Sequence, residues 1–181
     1  MEIKVINDVT TEPVTLAEIK SWCQIDADYA AEDSTLTLIC KGARERLEKE
    51  LNLSLAQKNL LCQWSGDTMY IPYGPVNSIT GVTSSTDLIN PIPYSEYGLD
   101  FPTISLGVDD CYIIYPVGYL GARLYNLTYS AGYTTLPSAL KQALLIQIDY
   151  ELKGRGMPDI DLSPDALRKA AIYSRNLAIQ R

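Results

Sequence analysis

The feature that most constrains this chain is a change of hydrophobic period partway along it, followed by a change back. Leu36, Ile39, Cys40, Ala43, Leu47 and Leu51 recur at three and four residues, which is the stripe of an amphipathic helix. From Leu60 to Tyr133 that spacing disappears, and ten of the thirteen tyrosines lie there with most of the glycines and prolines. Leu140, Ala143, Leu144, Leu145, Ile146, Ile148 and Leu152 then restore a helical pattern that is apolar nearly all round, as in a buried helix. The expected fold class is α+β: a helical core of about four helices with a β-rich insert between helices two and three. The expected divisions are 1–59 (N-terminal arm and helices one and two), 60–135 (insert) and 136–181 (C-terminal helices), folding as one domain.

Helix boundaries are written locally. Thr15 with Glu18 three residues on forms a capping box, and Leu16, Ile19 and Trp22 or Cys23 give helix one its apolar face. Helix two runs from about Glu32 to Leu51, with Lys41, Arg44, Glu45, Glu48 and Lys49 on a solvated face and Asn52 as its C-cap. Pro137 suits the first position of helix three, and Gly154-Arg155-Gly156 ends it. Ser163-Pro164-Asp165 supplies cap, first-turn proline and first-turn acid for helix four. Residues 1 to 13 are expected to form an extended arm. Leu60 to Trp64, Met69 to Ile71, Tyr112 to Tyr115 and Leu124 to Tyr129 are strand candidates, and Asn90 to Pro93 an irregular loop.

Helix four carries two stripes. Leu167, Ala170, Ala171, Ser174 and Ala178 form a small-residue packing face, while Ile172 and Ile179 lie on another side among Arg168, Arg175 and Asn176. The second stripe either touches the β region or contacts another chain. Residues 137–181 carry a net +2, which leaves −9 of the chain's −7 elsewhere. The basic run after Asp165 either complements a helix dipole or faces an acidic partner.

Composition excludes several function classes. The net charge of −7 opposes phosphate-gripping nucleic-acid binding, which depends on Lys and Arg. No apolar run reaches the roughly 18 residues of a membrane span, and Met1-Glu2-Ile3-Lys4 does not open a signal peptide. Cys23, Cys40, Cys62 and Cys111 have no CxxC spacing and there is no histidine, so no metal site is expected; the cysteines fit core positions in a reducing cytoplasm. The missing histidine removes the commonest general base, and no phosphate loop is present. Asp109-Asp110 and Asp159-Ile160-Asp161 are close acid pairs that fit turn and loop solvation. No catalytic residue, cofactor or enzymatic activity is expected.

The order of these pieces resembles a known family. Val14-Thr15-Leu16-Ala17-Glu18, the second helix with Ala43 and Leu47, Ile71-Pro72 with Pro75-Val76, Tyr129 with Ala131-Gly132-Tyr133, and Leu136-Pro137 with Leu140 and Ala143 are similar to the head–tail connector, or adaptor, proteins of tailed bacteriophages, prophages and gene transfer agents. The resemblance covers about residues 14 to 153; the segment from Tyr94 to Tyr119 has no counterpart in it. It implies a ring, commonly of twelve copies, below the portal protein in the virion, assembled in the bacterial host cytoplasm from subunits that can be monomers when free. It implies a downstream tail or stopper partner, passage of DNA through the lumen without specific binding, no membrane and no cofactor. A C-terminal segment would dock on the portal, with Leu167, Arg168, Ile172, Arg175 and Ile179 as contact candidates.

A second reading is a carbohydrate- or ligand-binding module. Tyr112, Tyr115, Tyr119, Tyr125, Tyr129 and Tyr133 could stack on sugars, although sheet packing and protein interfaces use tyrosine as readily.

Overall fold

The computed structural model of the protein describes residues 2–64, 69–85, 92–93, 104–106, 112–114, 124–155 and 161–174. Its chain forms two compact units, one of Met1–Val9 with Gln57–Tyr133 and one of Thr10–Ala56 with Thr134–Arg181. The first is built of strands and the second of helices.

The β unit contains β1 (Glu2–Asn7), β2 (Lys58–Trp64), β3 (Met69–Tyr70), β4 (Val76–Ser85), β5 (Ile92–Pro93), β6 (Ile104–Leu106), β7 (Tyr112–Ile114) and β8 (Leu124–Ala131). One sheet has the order β1-β2-β8-β4-β5 and a smaller one the order β3-β7-β6, and every pairing is antiparallel. Along β2, Lys58, Leu60, Cys62 and Trp64 are buried and the residues between them half-buried, the two-residue alternation of a strand with one covered face. Leu60, Cys62 and Trp64 form a core with Ile71, Val76, Leu127, Tyr129 and Ala131, and Ile3, Tyr73 and Ile79 pack against it. Each fully buried large apolar side chain there contributes about 1.5–3 kcal/mol.

β4 is a strand that its own sequence conceals. Val76, Ile79 and Val82 are three residues apart, which is not a strand period. The ladder is irregular between Val76 and Ser78 and again between Ile79 and Gly81. Each bulge inserts one residue, so Val76, Ile79 and Val82 stand opposite Ala131, Tyr129 and Leu127, alternate positions of β8. The two extra residues are stitched down by side chains: Asn77 Nδ2 donates to the Gly132 carbonyl at 2.8 Å and Thr80 Oγ1 to the Thr128 carbonyl at 3.1 Å.

The N-terminal segment and Ile92–Pro93 also differ from expectation. Residues 2–7, expected as part of an extended arm, are paired as a strand, registered on β2 from Glu2 opposite Gln63 to Asn7 opposite Asn59. Ile92 and Pro93 pair with Ser84 and Thr83, which suits proline because an edge residue need not donate to the ladder. Asn90 and Pro91 lie outside the described residues, as does most of Tyr94–Tyr119.

The helical unit contains α1 (Leu16–Trp22), α2 (Asp33–Leu51), α3 (Ser138–Lys153) and α4 (Pro164–Ala170), the last followed by a 3₁₀ turn over Ala171–Tyr173. The Thr15–Glu18 capping box is formed in both directions. Asn52 closes α2 with φ 54° and ψ 41°, a left-handed conformation that asparagine tolerates. Pro137 stands one residue ahead of the expected position: its carbonyl accepts the Lys141 N–H at 2.9 Å, and Ser138 is the first helical residue.

The expected solvated face of α2 is wrong at two positions. Arg44 is 1% exposed and Glu48 2% exposed. Arg44 Nη1 donates to Glu48 Oε2 at 3.0 Å, and Nε donates to Glu12 Oε2 at 2.8 Å. Glu48 Oε1 accepts the backbone N–H of Leu55 at 2.8 Å. The cluster ties the segment before α1 and the segment after α2 to the middle of α2. A buried arginine persists because its planar fork can serve two carboxylates at once.

Candidate docking interface

α4 is attached to α3 by its small residues and by polar clasps. Ala166 and Ala170, one turn apart, are fully buried. Ser163 caps the helix, its Oγ accepting the Ala166 N–H at 3.5 Å, while its own N–H donates to Gln147 Oε1 at 2.8 Å. Gln147 Nε2 in turn donates to Glu151 Oε1 at 2.9 Å, and Lys169 Nζ donates to Gln142 Oε1 at 2.7 Å.

The opposite side of this element is open. Leu167 is half-buried and Arg168 exposed, with Arg168 Nη1 3.2 Å from Asp165 Oδ1. Ile172, in the 3₁₀ turn, is 81% exposed. Ala171, expected on the packing face, is exposed instead. The backbone tightens after Ala170 from 3.6 to about 3 residues per turn, which rotates the following side chains off the α-helical stripe. Arg175 and Ile179 lie outside the described residues, while Leu167 and Arg168 lie on α4 and Ile172 in the 3₁₀ turn that follows it.

A second open surface was not singled out from the sequence. Ala17, Glu18, Ser21, Trp22 and Gln24 line a shallow groove with Leu145 of α3. Trp22 is 44% exposed, whereas Cys23 is the half-buried member of the pair. Burial and then Asp149 push the Cys23 thiol upward. Along the same side, Lys141 Nζ donates to Glu18 Oε1. That hydrogen bond, then the Thr15 N–H, holds the Glu18 carboxyl below its ordinary range. A tryptophan so placed supplies contact area at low entropic cost; its only sequence signal is its place in a short helix whose other apolar residues suffice for the core.

Two further charged pairs tie parts of the helical unit together. Lys20 is 6% exposed, 2.7 Å from Asp33 Oδ1, and donates to the Ala27 carbonyl at 3.1 Å. Arg155 grips Glu32 through two hydrogen bonds of 3.1 and 2.9 Å and holds its carboxyl below the ordinary range. The Cys40 and Cys62 thiols are each pushed up to about 12, chiefly by burial, and so lack nucleophilic thiolate at neutral pH. Among the described residues no group of three His, Cys, Asp or Glu side chains could hold a metal ion, and no helix is long and apolar enough to cross a membrane. Asp161 is exposed and accepts the Leu162 N–H; Asp109, Asp110, Asp159 and Cys111 lie outside the described residues. Of the tyrosines considered for stacking, Tyr129 is fully buried and cannot meet a ligand. Nothing is described of the side chains of Tyr112 and Tyr125, and Tyr115 and Tyr119 are outside the described residues.

The two motif segments richest in Pro, Gly and Tyr prove to be neighbours. Tyr129 Oη donates to the Pro72 carbonyl at 2.8 Å, and the Gly132 N–H donates to the Pro75 carbonyl at 2.9 Å. Gly132 has φ 117°, a conformation open to glycine and costly for other residues. The turn Ile71–Val76 and the end of β8 thus form one joint.

Residues 13–86 match the model of the phage gp6-like head-tail connector protein family. The matched region begins just ahead of α1 and runs through β4, so it spans both helices of the N-terminal half and the joint's first segment. It is the family that the order of motifs resembles. No curated protein matches the chain. Among solved structures, a chain in the neck of an empty gene transfer agent particle, computed with sixfold symmetry, aligns with a TM-score of 0.73 at 18% identity, covering 98% of both chains. A chain from the virion of a native gene transfer agent particle aligns at 0.72 and 16% identity, again over 98% of both. A third, from a native neck computed with twelvefold symmetry, aligns at 0.68 and 16% over the same shares. These likenesses show that the chain shares the α+β fold of those neck and virion chains.

Proposed function

We propose that this protein is a structural head–tail connector of a tailed phage, prophage or related particle. Copies form a ring below the portal, join it to the tail and let DNA pass. The observation that carries this reading is the end-to-end fold likeness to neck chains of gene transfer agents, joined to the connector match over residues 13–86. It fits a chain in which Arg44, Lys20 and Arg155 are held in ion pairs within the helical unit. An acidic subunit also suits a channel through which DNA slides without sticking, because like charges repel.

In this reading α4 and its continuation face the portal, with Leu167, Arg168, Ile172, Arg175 and Ile179 in contact. The partners are the portal, neighbouring copies and a downstream tail or stopper protein. The protein resides at the head–tail junction of the virion after assembly in the host cytoplasm, and it performs no catalysis. The test is a variant with Ile172→Asp and Ile179→Asp. It should fold with unchanged circular dichroism and fail to join portal rings in a pull-down. Normal joining by that variant would overturn the docking assignment.

A further inference from the structure

Two exposed apolar features of the helical unit differ in shape. One is the groove beside Trp22, about 520 Å³ in volume, where Ala17 and Ser21 of α1 meet Leu145 of α3. Trp22 is 44% exposed there. The other is a projection. Leu38 of α2 is 72% exposed. It stands about two and a half helical turns from Leu47, which is fully buried, so it points away from the core. The core stripe of α2 is complete without it, through Leu36, Cys40, Ala43, Leu47 and Leu51.

Charge says which surface meets which. On the Leu38 side of α2 the exposed residues are Ser34, Lys41, Glu45 and Lys49, a net +1. The chain leaves the groove at Gln24 and runs into Asp26 and Asp28, both exposed, a net −2. Glu18 within the groove is already matched by Lys141. Two grooves facing each other would bring four aspartates together, and two α2 faces would bring four lysines together. Groove against α2 face instead sets opposite signs side by side, the arrangement that fixes partner and register. A contact between two different surfaces of one subunit is heterologous, the type that closes into rings.

We infer that Leu38 of one copy seats against Trp22 in the α1–α3 groove of the next, with Lys41 turned to the Asp26–Asp28 rim, so that neighbouring copies are joined through their helical units. This inference rests on the ring reading above. A contact of so few side chains covers far less than the roughly 800 Å² per partner of a standard interface. It therefore closes where a portal ring aligns the copies rather than between free subunits.

The experiment oxidises the full-length L38C/S21C variant on portal rings, with L38C and S21C alone as controls. All three carry C23S, which removes the half-buried thiol next to Trp22. Loading is measured by light scattering before denaturing, non-reducing electrophoresis. A disulfide forms only where Cα atoms come within about 7 Å. The expected result is a ladder of covalent oligomers of this chain from the L38C/S21C variant and monomer from each control. Rings by mass whose L38C/S21C and L38C/A17C versions both stay monomeric on the gel overturn the contact between Leu38 and the groove and leave the ring reading intact. A covalent dimer from either control overturns it in favour of like surfaces meeting, and a band joining this chain to the portal overturns it in favour of the portal as occupant. Absence of any ring by mass on the portal overturns the ring reading and this inference together.

Discussion

The hydroxyl of Tyr129 donates to the carbonyl of Pro72 at 2.8 Å inside the β-unit core, joining residues 57 positions apart. One is a sheet residue and the other part of a turn, so the bond fixes how the turn Ile71–Val76 lies on β8. Tyr129→Phe removes the donor and leaves the Pro72 carbonyl buried and unpaired. The expected cost is about 1–3 kcal/mol, read as a lower urea midpoint with unchanged slope. An unchanged midpoint would mean that the hydroxyl has no stabilising role.

Arg44 shows a different kind of buried polarity. Arg44→Met strands Glu48 at 2% exposure without its guanidinium partner. Removing one member of a buried pair costs about 3–5 kcal/mol, and chemical denaturation should register a loss of that size. The double variant Arg44→Met with Glu48→Gln should recover part of it, since no uncompensated charge then remains at these two positions. Equal losses in both variants would show that packing rather than charge carries the cluster.

The pH dependence follows from Glu18. Its carboxyl is held below the ordinary value of 4.5, first by Lys141 and then by the Thr15 N–H. A depressed folded-state value stabilises fully above the unfolded value, and the contribution fades as pH falls through the folded one. The denaturation midpoint of wild type should therefore exceed that of Lys141→Met at neutral pH, and the gap should narrow below 4.5. A gap that is constant with pH would assign Lys141 a packing role only.

Cys40 and Cys62, with thiols at about 12, should resist alkylation at neutral pH in the folded protein and react on unfolding. Mass spectrometry of the alkylated peptides reads this site by site. Rapid labelling of either residue under native conditions would contradict its assigned burial.

Features written within a few residues were legible in the sequence. Thr15 and Glu18, Asn52, and Ser163 with Pro164 act on their own backbone turn, so neighbouring identities suffice to place three helix ends. β4 was not legible because two bulges turn a spacing of two into a spacing of three at Val76, Ile79 and Val82. Arg44 and Glu48 look like a surface i,i+4 pair. Their burial depends on Glu12, 32 residues before Arg44, and on the Leu55 N–H. β1 was concealed for a similar reason, since its partner β2 begins some fifty residues later. Of the docking candidates, Ile172 stood out in the sequence because it lies on a second stripe, away from the small-residue face. Trp22 did not, because a tryptophan in a short amphipathic helix is an equally good core residue.

The connector reading is tested most directly by mixing the purified protein with candidate portal rings, measuring mass by light scattering and imaging the product. The account predicts a stoichiometric ring of this protein stacked on the portal, with the α4 end of each helical unit at the contact. A clean monomer at every ratio, with bare portal rings in the images, would contradict it.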